Sequence, residues 1–164
     1  MGVGPSTKET TKHHFKDPLV RVFAQDPDID FQGIIVVGTP QDNVLKNLVG
    51  KRVAKWLKAM RTDGAVISAD GWGNSDVDFM NTMESIGSEG ISVIGLKFIG
   101  TQATFVVTNE YTPYVLDINK SPSGKETTVL AENSLDERDA NKALGFLKLK
   151  MRADQKSAEL EENN

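Results

Sequence analysis

Short apolar runs rich in β-branched residues recur along this chain with helix-like stretches between them, and that alternation leaves few architectures open. Ile34-Ile35-Val36-Val37, Ala65-Val66-Ile67-Ser68-Ala69 and Ile91-Ser92-Val93-Ile94-Gly95-Leu96 are largely uninterrupted by charge, as strands covered on both faces are. After the first run, Thr39 reads as a helix cap, Pro40 as a first-turn residue and Asp42 as a favourable charge at the positive helix end. Leu45, Leu48, Val49, Val53, Trp56, Leu57 and Met60 then recur at three- and four-residue spacing. That stripe predicts an amphipathic helix over 41–61, packed on the sheet with Trp56 in the core. A second helix over 75–87 starts at Ser75, approximates a capping box with Asp78, and buries Phe79, Met80, Met83 and Ile86. A third, over 135–152, follows the box Ser134-Leu135-Asp136-Glu137 and turns Ala140, Ala143, Leu144, Leu147 and Met151 inward. The expected fold is α/β: a three-layer α/β/α sandwich with a mostly parallel, Rossmann-like sheet and right-handed crossovers. Strands 33–37, 65–69 and 91–96 are expected to be adjacent or nearly so.

Elsewhere the signals are weaker. Residues 18–24 leave a short strand and a helical turn both open. Residues 104–107 and 114–118 read as further strands, and 127–130 as a last short one. The organisation is an N-terminal arm over 1–17, a single domain over 18–152 and a polar, frayed tail over 153–164. The rival architecture is a βαβ half whose sheet is completed by a second copy.

Composition narrows function. A chain of 164 residues with 38% hydrophobic content fits one sizeable core. No apolar stretch approaches the roughly 20 residues that cross a bilayer, and the first residues lack a secretory pattern, so a cytoplasmic protein is expected. Nineteen basic and 23 acidic residues give a net charge of -4 without a basic stripe, which disfavours nucleic acid as a partner. There is no cysteine. Disulfides, thiolate nucleophiles, thiolate metal sites and cysteine-held iron–sulfur clusters are thereby excluded within this chain.

The densest polar cluster follows the run 65–69: Asp70-Gly71-Trp72-Gly73-Asn74-Ser75-Asp76-Val77-Asp78. Ligands in open α/β sheets sit outside the carboxyl ends of strands. Asp70 and Asn74 suit a cationic substrate, a metal or a loop-orienting role, and Trp72 suits the apolar wall of a cleft or an interface. Asp76 and Asp78 fit first-turn residues favoured by the helix dipole, and two residues apart they do not share a face. Thr39 opens another helix N-terminus, where a carboxylate or phosphate is bound when present, though no complete phosphate-loop pattern surrounds it. Thr101, Gln102 and Asn109 offer hydrogen bonds at further strand ends, and ordinary turns use the same residues. His13 and His14, adjacent in an extended arm, point in opposite directions and do not readily share a metal; no metal site is expected. Ser6 and Thr7 lack a positioned base that would make them nucleophiles.

Three stretches together resemble a known family: Gly4-Pro5-Ser6-Thr7-Lys8-Glu9-Thr10-Thr11 leading to His13-His14-Phe15 and Asp17-Pro18; the loop from Asp70 to Asn74 with Asp76, Asp78 and Phe79; and Phe98-Ile99-Gly100-Thr101-Gln102 with Asn109, Asp117 and Asn119-Lys120. These resemble the proprotein-derived subunits of the clostridial amino-acid reductases, the D-proline reductase branch more closely than the glycine, sarcosine and betaine reductase branch. The resemblance implies a proprotein that cleaves itself at a cysteine, a pyruvoyl group on the new N-terminus that captures the substrate amine, and a selenocysteine on a separate subunit. With no cysteine, this chain cannot form a cysteine-derived pyruvoyl group, and Ser6 is the tempting substitute. The pyruvoyl cofactor is therefore expected only in catalytic relatives. The implied role is an accessory or non-catalytic paralogue, with proline reductase subunits, a second copy or a small amino acid as partner. A pyruvoyl-dependent reductase subunit and a structural or ligand-binding homo-oligomer are the alternatives.

Overall fold

The computed structural model describes residues 17–69, 73–97, 99, 104–118 and 135–162. Helix α1, Pro18–Gln25, resolves the ambiguity at 18–24. Asp17 accepts from the Leu19 amide at 2.9 Å, and Pro18 sits in the first turn where its missing N–H costs nothing. Helix α2 is Asn43–Ala59. Its cap is Asp42, which accepts from the Leu45 amide at 3.0 Å, rather than Thr39. Strand β1, Gly64–Ala69, is followed by α3, Asn74–Gly87, whose N-cap Gly73 has φ 69° and offers no side-chain cap. Strand β2 is Ser92–Lys97 and β3 is Val115–Asp117.

Helix α4 spans Glu137–Glu162, so the periodic stretch expected to end near 152 continues through the polar residues beyond it. Its capping box lies two residues past the expected one. Asp136 accepts from the amides of Arg138 (2.8 Å) and Asp139 (3.1 Å), and Asp139 accepts from the Asp136 amide at 3.2 Å. Two carboxylates thus satisfy orphan amides reciprocally.

The sheet is parallel throughout, in the order β1-β2-β3. Ile94 and Leu96 of β2 pack with α1 and α4 on one face. Val93 packs with α2 and α3 on the other. The expected α/β/α sandwich with a mostly parallel sheet is what the chain forms. At Gly95 the layers approach so closely that a Cβ would lie 2.5 Å from Phe79 Cζ.

Two expected strands are absent. Residues 34–37 have no regular secondary structure and pair with nothing among the described residues, and Ile34, Val36 and Val37 are exposed. Residues 104–107 are irregular. β-branched composition records a preference for a pleated, covered surface and does not supply the neighbouring strand. The suggested strand 127–130 lies outside the described residues.

Helix α2 is also turned from its expected orientation. Lys46, Gly50, Val53 and Ala54 are its buried positions, whereas Trp56, expected in the core, is 58% exposed alongside Val44, Leu45, Leu48 and Met60. No strand among the described residues lies under this apolar stripe, and the helix packs on α3 instead. Gly50 permits that approach, because a Cβ there would collide with the Asn81 side chain.

Candidate functional site

The start of α3 faces the carboxyl ends of the strands, and two lysines are buried there. Lys97 ends β2, and its Nζ lies 2.9 Å from Asp76 Oδ1, with both side chains almost wholly out of solvent. Lys46, in the first turns of α2, hydrogen-bonds to Asp78 Oδ2 in a second buried pair. Asp76 and Asp78 do point to different neighbours, as their spacing requires, but each neutralises an interior lysine rather than merely facing the helix dipole. The Asp76 carboxylate also accepts from the Val106 amide at 3.3 Å. Lys97 lies 5.2 Å from the Phe79 ring centre, and Phe79 stacks on Phe105 with centres 6.3 Å apart. The segment 105–106, though not a strand, is thereby fastened to the start of α3. Buried charges persist when paired and hydrogen-bonded.

Neither lysine is among the residues singled out from the sequence. A signal existed for both. Lys46 stands in one helical register with Gly50, Val53 and Leu57, and Lys97 directly continues the apolar run 91–96.

The second feature is a cleft of about 780 Å³ along the outer side of β1. One wall is the segment 28–37, and the carboxyl end is bordered by Thr39, Ala69, Ser75 and Asp78. Asn74 donates from its side-chain amide to Gln41 Oε1 at 3.0 Å, tying the start of α3 to the turn that follows residues 34–37. Thr39 is exposed on the cleft wall. Asn109 is engaged locally: it donates to the Met80 carbonyl and accepts from the Tyr111 amide, both at 3.0 Å. Of the remaining candidates, Asp70, Trp72, Thr101, Gln102, Ser6, Thr7, His13 and His14 lie outside the described residues. Burial raises the Asp17 carboxyl above the ordinary aspartate value, against the lowering effect of its hydrogen bond from the Leu19 amide. Among the described residues, no group of three or more His, Asp or Glu has the arrangement of a metal site, and no helix is long and apolar enough to cross a membrane.

The family of glycine/sarcosine/betaine reductase component B subunits matches over residues 2–104. The chain belongs to this family. It is 38% identical over 146 residues, 89% of its length, to the D-proline reductase proprotein PrdA of Acetoanaerobium sticklandii, of which it covers 23%. Two proteins of Peptoclostridium acidaminophilum are more distant. The sarcosine reductase complex component B subunit alpha is 28% identical over 94 residues, and the betaine reductase counterpart 26% over 95; each alignment covers 56% of this chain and 22% of the relative. The chain therefore spans less than a quarter of the length of these curated relatives. No solved structure matches it. The sequence of this family member contains no cysteine.

Proposed function

We propose that this chain is an accessory, non-catalytic paralogue in the D-proline reductase system, acting through protein contacts. The observation that carries the reading is a 38% identity extending over 89% of the chain in a sequence with no cysteine. A cysteine-derived carbonyl cannot form without the cysteine, and no thiolate is available for nucleophilic attack. Protein contact fits the surface. Large apolar side chains of α2 and of residues 34–37 stand exposed, and a tryptophan among them is the kind of residue that anchors interfaces.

Co-purification of the tagged chain with D-proline reductase subunits, against an unrelated bait, tests the proposal. Specific recovery of the reductase subunits is expected. Failure to associate, together with unchanged reductase maturation when the chain is deleted, overturns it. Intact mass separates the pyruvoyl-subunit alternative: the accessory role predicts an N-terminus that does not react with hydrazines, whereas a cleaved chain with a ketone-reactive N-terminus would establish the alternative.

A further inference from the structure

The cleft beside β1 has the shape of a vacated strand position. Among the described residues, β1 pairs with β2 alone, so its outer N–H and C=O groups form an open edge. Val53 and Leu57 of α2 overhang that edge on one face, and Leu147 and Met151 of α4 on the other, as helical layers cover a strand of a parallel sheet. The segment lining the outer wall is tied to both ends of β1. Thr62 Oγ1, just before the strand, donates to Gln32 Oε1 at 3.3 Å. Asn74, beyond the carboxyl end, donates to Gln41 Oε1 at 3.0 Å. Residues 32–41 therefore run in the same direction as β1.

The contact at Thr62 also sets a register. With Gln32 opposite Thr62, Ile35 falls opposite Ala65, Val36 opposite Val66 and Val37 opposite Ile67. Directly opposed residues of parallel strands point to the same face. Ala65 and Ile67 pack in the core shared with α2 and α3, and Ile35 already packs there too. Val66 packs with α1 and α4, and a Cβ at Gly64, opposite Ile34, would meet Leu147 and Met151 of α4. A slip by one residue would send every side chain to the wrong face. The order 33–38, β1, β2 also advances across the sheet in one direction, with α2 and α3 in the same layer. The two crossovers then have the same hand, as crossovers in parallel sheets do. At the start of the segment, Gly33 has φ 134°, away from strand geometry, and a glycine rotates between the two without a steric penalty.

We propose that residues 33–38 are a strap that swings on Gly33 and inserts as a fourth parallel strand on the edge of β1. The cleft is then the place the strap leaves when it is open, rather than a pocket for a small molecule. Closure covers the β1 edge and turns Ile34 and Val36, 42% and 75% exposed in the open form, under α1 and α4. Where the accessory role proposed above holds, the strap regulates it, because closure withdraws apolar surface from a partner. The chain's other segments fit the position less well. Residues 127–130 lie outside the described residues and follow β3, at the opposite edge of the sheet from β1. Lys8–Lys16 contains one large apolar side chain, Phe15, among three lysines.

The chain has no native cysteine, so paired cysteines in the full chain report the strap directly. Val36→Cys with Val66→Cys is expected to form a disulfide on mild oxidation about tenfold or more faster than Ile35→Cys with Val66→Cys. The first pair shares a face at a Cα separation that a disulfide spans, and the second pair points to opposite faces. Amide exchange gives an independent readout. Val36→Asp alters a residue that is exposed while the strap is open, but it forces a charge under the helices when the strap closes. The variant is expected to speed exchange of the outer amides of 64–69 about tenfold or more, with those of 92–97 little changed. Equal disulfide rates for the two pairs overturn the strap. Exchange at 64–69 that Val36→Asp leaves unchanged overturns it as well: fast exchange in both proteins shows an open edge, and slow exchange in both shows another occupant, a second copy where protection rises with concentration. Both readouts use the chain alone, so failure to capture reductase subunits overturns the regulatory role and leaves the strap standing.

Discussion

Lys97 and Asp76 form an ion pair, Nζ to Oδ1 at 2.9 Å, in which the lysine is 1% and the aspartate 2% exposed. It joins the end of the central strand to the first turn of α3. Breaking such a pair from one side leaves an uncompensated charge in the interior. Lys97→Met is expected to destabilise the fold by about 3–5 kcal/mol, and Asp76→Asn by a similar order. The double variant is expected to lose less than the two single losses together, because neither charge is then stranded. Urea unfolding of the four proteins measures this; additive losses would show that the pair is not coupled.

The glycines at close contacts give a second prediction. Gly95 lies under the Phe79 ring and the Met83 sulfur. A Cβ at Gly87 would collide with the Tyr111 ring. Gly95→Ala and Gly87→Ala are each expected to cost about 1–3 kcal/mol through overpacking. Gly38→Ala meets open space and is expected to leave the urea midpoint nearly unchanged.

The pH dependence has opposing contributions. A hydrogen bond from Lys148 is the main cause holding the Asp26 carboxyl below the ordinary 3.8. That stability is present above pH 3.8 and is lost as pH falls through the lower folded value. Lys148 is in turn raised above 10.5, chiefly by Asp26 and then Asp28. Its contribution is present below 10.5 and is lost as pH rises through the higher folded value. Lys148→Met should therefore flatten both limbs of a plot of melting temperature against pH.

Asp17 works in the other direction. Burial raises its carboxyl above 3.8, so the folded state favours the protonated acid. Its contribution is present below pH 3.8 and is lost as pH rises through the folded value. Asp17→Asn keeps an oxygen for the Leu19 amide and removes the buried charge. The variant is expected to melt at the same temperature as the parent or higher at pH 7, with the difference shrinking below pH 4.

Trp56 separates packing from recognition. At 58% exposure, Trp56→Ala is expected to change stability by about 0.5 kcal/mol or less, while reducing capture of D-proline reductase subunits. A large loss of stability with undiminished capture would place Trp56 in the architecture rather than the interface.

Helices α2, α3 and α4 and the two longer strands were legible because their signals are local, whereas α1 was left open between strand and helix. The three- and four-residue spacing marked α2, α3 and α4, and the runs at 65–69 and 91–96 coincide with β1 and β2 within a residue. The α/β class followed from their alternation. Partnership was not legible, because periodicity fixes the spacing of apolar side chains along a segment and says nothing of what stands opposite. Ile34–Val37 has a strand's composition but no strand partner among the described residues, and the stripe through Leu45, Leu48 and Trp56 faces outward while α2 packs on α3. The same limit hid the site. Asp76 and Asp78 read from the sequence as first-turn acids, and only the three-dimensional packing set Lys97 and Lys46 against them. A buried charge is tolerated only with its counter-charge in place, and here the fold brings that counter-charge from strand β2 and helix α2.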